Sequence, residues 1–139
     1  MKRDKDLPAK VLITLATLFY GVVPVIADLS DSHLFNPNWM PHAKLHLAWL
    51  LSTNSLLAIF SLYILWMKDR TLEAGLIGII VMAGFWVSAL TKNLYGGAFV
   101  DPHLEVPEII GLHPNVFAFI FVSLFLLVGT FLQATSKRA

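Results

Sequence analysis

The chain contains no cysteine among its 139 residues. Disulfide bonds, thiolate metal sites and cysteine nucleophiles are therefore excluded, and any bound metal ion must use nitrogen and oxygen ligands. Charged residues are also scarce, since they make up 14% of the chain against roughly a quarter of a soluble domain. Together with a hydrophobic content of 57%, this composition predicts an integral membrane protein.

Two further features are missing, and each excludes a class of protein. The net charge is only +1 and no basic stripe with interleaved aromatic residues occurs, so a nucleic-acid partner is not expected. No repeat of 20–50 residues is visible, and no change of composition marks a domain boundary. Residues 1–139 are therefore predicted to form a single transmembrane domain.

Four apolar segments have the length of a membrane-spanning helix, which needs about 20 residues to cross the hydrocarbon core. They lie at about 9–27, 42–67, 72–92 and 114–132. The first segment has no small-residue cleavage site at its end, so it is predicted to be an uncleaved span rather than a signal peptide. The predicted fold is all-α, an integral membrane bundle of four antiparallel helices in which small residues of the third span allow close packing.

Lysine and arginine are concentrated on one side of this predicted bundle. Eight of the ten fall at the two termini and in the turn near residue 69, whereas only Lys44 and Lys92 fall on the other side. The positive-inside rule therefore predicts that both termini are cytoplasmic. We expect a multi-pass protein of the bacterial inner membrane or an equivalent membrane.

The opposite, extracytoplasmic side carries all of the histidines. These are His33, His42, His46, His103 and His113, and they are joined by the carboxylates Asp28, Asp31, Asp101, Glu105 and Glu108. Ordinary loop polarity explains any one of these histidines taken alone. The cytoplasmic side is equally polar and has no histidine, so the clustering indicates a functional face.

His42 and His46 are four residues apart at the start of the second span, so their rings project from one face of a helix and can converge on one ion. Asp28 ends the first span at a similar predicted depth, either as a third ligand or as the acceptor that orients an imidazole. Nitrogen and carboxylate ligands suit Zn, Fe, Mn or Cu(II). The full set of predicted metal ligands is Asp28, His33, His42, His46, Asp101, His103 and His113.

Trp49 and Thr53 continue the face of the histidine pair toward a polar quartet at residues 52–55, which lies at about mid-bilayer depth. Polar groups at this depth face a helix partner or a cavity and seldom lipid. The pattern predicts a cavity that opens to the outer leaflet, with Trp49, Thr53 and Asn54 as the residues that contact a cofactor or substrate. Asn54 fits a hydrogen bond between helices better than a substrate contact. Haem bound by two histidines is less expected than a metal ion, because nothing specific favours it.

Residues 35–46 read FNPNWMPHAKLH. This stretch resembles the hallmark of an uncharacterised family of small four-span membrane proteins: FNPxW, a proline-rich step, HA, a basic residue and a final histidine. Met40 stands where proline is usual, and AFVDP at 98–102 is similar to the second loop of that family. The resemblance implies that the site is important without implying an activity. A weaker similarity, carried by Asp28 alone, is to the emopamil-binding and sigma-2 receptor proteins, and implies a lipid-accessible pocket.

Three functions are compatible with the sequence, and whether the protein is an enzyme stays open. The first is a membrane-embedded site that binds a metal ion and acts on a small apolar substrate. The second is a metal-free pocket for a sterol, quinone or other lipid, in which Asp28 and the histidines supply acid–base or hydrogen-bonding groups. The third is an accessory subunit that docks through its outer loops. The expected partners are the bilayer, a lipid-like small molecule, and a second copy or a larger membrane complex.

Overall fold

The computed structural model describes residues 6–100 and 106–136, which contain four long α-helices. They are α1 (Leu7–Asp28), α2 (Pro41–Met67), α3 (Thr71–Thr91) and α4 (Pro114–Ser136), with a short 3₁₀ turn after α3. The described residues include no strand, only an isolated bridge between Ile109 and Leu112. The predicted all-α fold of four helices is therefore confirmed. All four helices are long and apolar enough to cross a membrane, as a multi-pass membrane protein requires.

Proline marks the start of three of these helices. Pro8, Pro41 and Pro114 each lie in a first turn, where the missing N–H costs nothing because that group has no acceptor within the helix. Pro24 is different because it lies inside α1, and the helix nevertheless continues to Asp28. The local sequence thus fixes where α2 and α4 begin.

The helices pack in an antiparallel ring whose cross-section is a rhombus. Each helix contacts its neighbours in the chain, α1 also contacts α4, and α1 and α3 contact each other across the short diagonal. Within the described residues α2 and α4 do not touch. These two helices therefore form the outer corners of the bundle.

Small residues set the distances between the helices. A Cβ atom added at Gly21 would overlap the Cβ of Ala58, and one added at Gly78 would meet the side chain of Leu126. Gly84 is one of the small residues of the third span, which were predicted to allow close packing, but no other helix lies within 4 Å of its Cβ position. Close approach therefore occurs at Gly21 and Gly78 and not at Gly84.

The two ends of the bundle differ. At what we call the lysine end, where α1 begins and α4 ends, Lys10 forms an ion pair with Asp69 and lies 5.6 Å from the centre of the Trp66 ring. The Trp66 indole N–H donates to Thr14 Oγ1 at 3.1 Å. The other end, which we call the histidine end, carries the described segments 29–40, 92–100 and 106–113, which lie between the helices. The lysine end is therefore tied together across helices, whereas the histidine end is built from loops.

Candidate functional site

The segment between α1 and α2 folds into consecutive turns. Asn36 Oδ1 accepts the backbone N–H of Asn38 at 2.9 Å, and its side-chain amide donates to the carbonyl of Ser32 at 3.3 Å. The backbone N–H of Trp39 then donates to the carbonyl of Asn36 at 3.2 Å. An Asn-Pro-Asn sequence favours such a turn because the Asn side chain replaces a backbone acceptor. The FNPNW stretch therefore fixes the path of the chain into α2.

The first polar pair of the histidine end is Asp28 with His33. His33 Nε2 lies 3.7 Å from Asp28 Oδ1, and its Nδ1 lies 2.9 Å from the hydroxyl of Ser32. The imidazole also packs edge-on against Trp39, with 6.1 Å between ring centroids. Asp28 was predicted to be a ligand or to orient an imidazole, and the imidazole beside it is that of His33.

The second polar pair is His42 with His46 in the first two turns of α2. Their Nε2 atoms are 3.0 Å apart and their rings are nearly perpendicular, at 85°. His46 also stacks on Trp49, with 6.2 Å between ring centroids. All three side chains are exposed. The two rings therefore converge as predicted from their spacing, on the surface of the bundle rather than inside it.

Among the remaining predicted ligands, His113 does not join either pair. His113 Nδ1 accepts the backbone N–H of Asn115 at 3.1 Å, and the ring stacks on Phe99, so this histidine caps α4. Asp101 and His103 lie outside the described residues. Nowhere in residues 6–100 and 106–136 do three His, Asp or Glu side chains meet as a metal site would require. Residues 6–100 and 106–136 therefore contain two separate pairs and no complete metal site.

An apolar groove runs between α1 and α2 on the half of the bundle nearer the histidine end. Its outer part has a volume of about 450 Å³ and its deeper part about 330 Å³, and the two parts share Val25 and Ser55. Ser55 is already engaged, since its hydroxyl donates to the Gly21 carbonyl at 2.9 Å. The outer part is lined by Val25, Leu29, Leu34, Ala48, Leu51, Ser52, Ser55 and Leu56.

The comparison with protein families bears on the whole helical unit. A family described as "Family of unknown function (DUF6640)" matches residues 12–134. The chain belongs to this family. The match runs from α1 into α4, so the DUF6640 family comprises the four-helix bundle and not only the stretch around the histidine pair. Searches of curated proteins and of solved structures each found no match.

Membership of the DUF6640 family agrees with the expected resemblance to an uncharacterised family. The likeness to the emopamil-binding and sigma-2 receptor proteins has no such support and stays a prediction. The family therefore fixes no activity, and the function must be argued from the site.

In this DUF6640 protein the residues expected to contact a cofactor lie beside the groove. Trp49 is 67% exposed and Thr53 is also exposed, so both lie on the outer surface of α2. Asn54 is half-buried, with its backbone carbonyl 3.9 Å from the Cβ position of Gly21. None of the three lines either part of the groove. Their role in binding stays a prediction.

Two residues of the groove, Ser52 and Ser55, belong to the polar quartet that was predicted to face a helix partner or a cavity, whereas Ala48 and Ala58 were not selected from the sequence. Ala48, Ser52, Ser55 and Ala58 are small and lie on the side of α2 that faces α1. Their spacing of four, three and three residues is the small-residue pattern that marks a close or recessed helix surface in a membrane. The signal that predicts close packing in the third span is therefore present in the second span as well.

Proposed function

We propose that this multi-pass membrane protein binds a divalent transition-metal ion at the histidine end of α2, with His42 and His46 as the ligand pair. The observation that supports this proposal is the 3.0 Å separation of their Nε2 atoms. Two imidazole nitrogens bound to one tetrahedral zinc ion lie about 3.3 Å apart, so binding would require the nitrogens to separate by about 0.3 Å and the rings to turn until both lone pairs point at the ion. Imidazole ligands without sulfur favour Zn or Cu(II) within the expected set.

The residues around the pair fit this use. One Nε2 donates its N–H to the other in this contact, so a metal ion could bind both Nε2 atoms only after the donor ring has moved its proton to Nδ1. Imidazole binds metal ions in its neutral form, so binding should weaken as the pH falls. The stacking of Trp49 on His46 restricts the rotation of that ring and so holds Nε2 toward His42.

The experiment is elemental mass spectrometry on untagged protein purified in mild detergent and incubated with zinc or copper(II). We expect bound metal in the wild type and none in His42→Ala/His46→Ala. His113→Asn is the matched control, because it removes an imidazole of the same end and keeps a side chain that can cap α4. Metal retained by the double variant, or no binding by the wild type, would refute the proposal.

A second candidate function is the binding of a lipid-like molecule in the groove between α1 and α2. The observation that favours it is the continuity of the two parts of the groove through Val25 and Ser55. The walls are apolar except for small hydroxyl groups, so an acyl chain or a ring system with few polar atoms fits their chemistry. This function does not require a metal ion. The accessory-subunit hypothesis has no comparable observation in its favour.

A further inference from the structure

We infer that the metal ion is held between two copies of this chain, each of which supplies His42 and His46. The inference rests on the proposed metal-binding function and names its missing ligands. The site would have four imidazole nitrogens, a donor set that suits zinc and copper(II). One ion would then serve two chains.

The first argument is that the described residues supply only half of a four-ligand set. Structural zinc sites use four protein ligands and catalytic sites use three. The part of the chain that the structure describes places no third His, Asp or Glu beside the pair. The other two described histidines are engaged elsewhere, His33 with Asp28 and His113 with Asn115. Both rings of the pair are exposed on the surface of the bundle, where a ligand from another chain can reach them.

The second argument is the symmetry that a membrane imposes. Two copies inserted in the same orientation are related by an axis along the membrane normal, so a twofold contact brings residues of equal depth face to face. When α2 packs against its counterpart, the pair of one copy therefore meets the same pair of the other. The four rings therefore meet at one depth, and neither copy has to move along the membrane normal.

The third argument is a stripe of residues along α2, which we call the α2 stripe. Its members follow one another at alternating spacings of four and three, the heptad pattern of left-handed helix pairs. Every member is exposed, and the exposed fraction of its large apolar side chains runs from 46% at Tyr63 to 72% at Met67. The stripe comprises His42, His46, Trp49, Thr53, Leu56, Phe60, Tyr63 and Met67. The α2 stripe therefore begins at the two proposed metal ligands and continues along α2 to its last residue.

The position of α2 in the bundle permits this pairing. It is an outer corner that makes no contact with α4 among the described residues, so two copies can meet along α2 without displacing a helix. Association of membrane helices relies on packing rather than on the exclusion of water. Large side chains such as Phe60 and Tyr63 supply that packing. The bonds from the ion to the imidazoles of both copies then favour association through this face of α2 over other faces of the bundle.

The test measures oligomeric state and metal content together. Sedimentation equilibrium in detergent, with zinc alone as the added ion, should give dimers that hold one zinc ion per two chains. Removal of zinc with EDTA should return monomers, and His42→Ala/His46→Ala should be monomeric under both conditions. Phe60→Ala should weaken the zinc-dependent dimer, whereas Phe131→Ala should not, because Phe131 is equally aromatic, is 67% exposed and lies on α4.

A cross-linking experiment in vesicles removes the dependence on detergent. The chain has no cysteine, so Thr53→Cys introduces a single thiol on the α2 stripe. A mild oxidant should link two copies of this variant in the presence of zinc, and the His42→Ala/His46→Ala background should abolish the link. Ile80→Cys is the control, since Ile80 is 71% exposed on α3 and away from the stripe.

The outcomes separate this inference from the proposed function. Zinc bound one per chain to a monomer would leave the metal site standing and overturn the shared site. Zinc-dependent dimers that survive His42→Ala/His46→Ala would overturn the shared site as well. Absence of zinc binding at every protein concentration would overturn both.

Discussion

Gly21 occupies a point of close approach between α1 and α2, where a side chain has no room. A Cβ atom there would overlap the Cβ of Ala58, which is bonded directly to the backbone of α2 and cannot rotate away. We expect Gly21→Ala to lower the free energy of unfolding by about 1–3 kcal/mol, the usual cost of overpacking. Thermal unfolding in detergent, followed by tryptophan fluorescence, measures the effect.

The matched control for that substitution is Gly84→Ala on α3. Its Cβ position has open space within 4 Å, and alanine favours a helix over glycine by about 1 kcal/mol. Stability should therefore be unchanged or slightly raised. The double variant Gly21→Ala/Ala58→Gly should recover part of the loss. An equal effect of the two single substitutions would contradict the packing described for α1 and α2.

At the scale of single residues, the sequence predicted the contacts that depend only on helix geometry. His42 and His46 meet because a four-residue spacing places two side chains on one face of any helix. The partner of Asp28 could not be predicted in the same way. It depends on the turns that follow α1, in which the backbone N–H of Leu34 returns to the carbonyl of Asp28 at 3.0 Å.

The groove between α1 and α2 gives a prediction at the scale of elements. Ser52→Phe places a large ring in the outer part of the groove and should displace any lipid-like molecule that the wild type retains. Native mass spectrometry of protein released from mild detergent measures the retained mass. Ile80→Phe is the control, because it adds a similar ring to an exposed position on α3. A molecule retained equally by Ser52→Phe would exclude the groove as its site.

The number and the type of the helices were predictable because each apolar segment is long enough to span a bilayer. The faces through which the helices pack could not be predicted in the same way. In water a buried helix face is marked by apolar residues, but in a membrane the face toward lipid is equally apolar. Gly78 and Gly84 look alike in the sequence of α3, yet only Gly78 lies against another helix. The spacing of small residues is the remaining sequence signal for the face that packs against another helix.

The orientation of the whole molecule is a separate prediction. Lysine and arginine of the lysine end should keep that end in the cytoplasm, which places the histidine end outside. Because the chain lacks cysteine, single thiols report orientation without background. A membrane-impermeant maleimide should label Asn38→Cys in intact cells, and should label a cysteine appended after Ala139 only after permeabilisation. The reverse pattern would invert the proposed orientation.

The position of the groove has a consequence for how a ligand would be supplied. It opens laterally between α1 and α2 near the histidine end, while the lysine end is held by the contacts of Lys10 and Trp66. Exchange would therefore occur by diffusion in two dimensions within one leaflet. The quantity that controls occupancy is then the mole fraction of the ligand in that leaflet and not its concentration in water. A poorly soluble compound could saturate the protein while remaining undetectable in the aqueous phase.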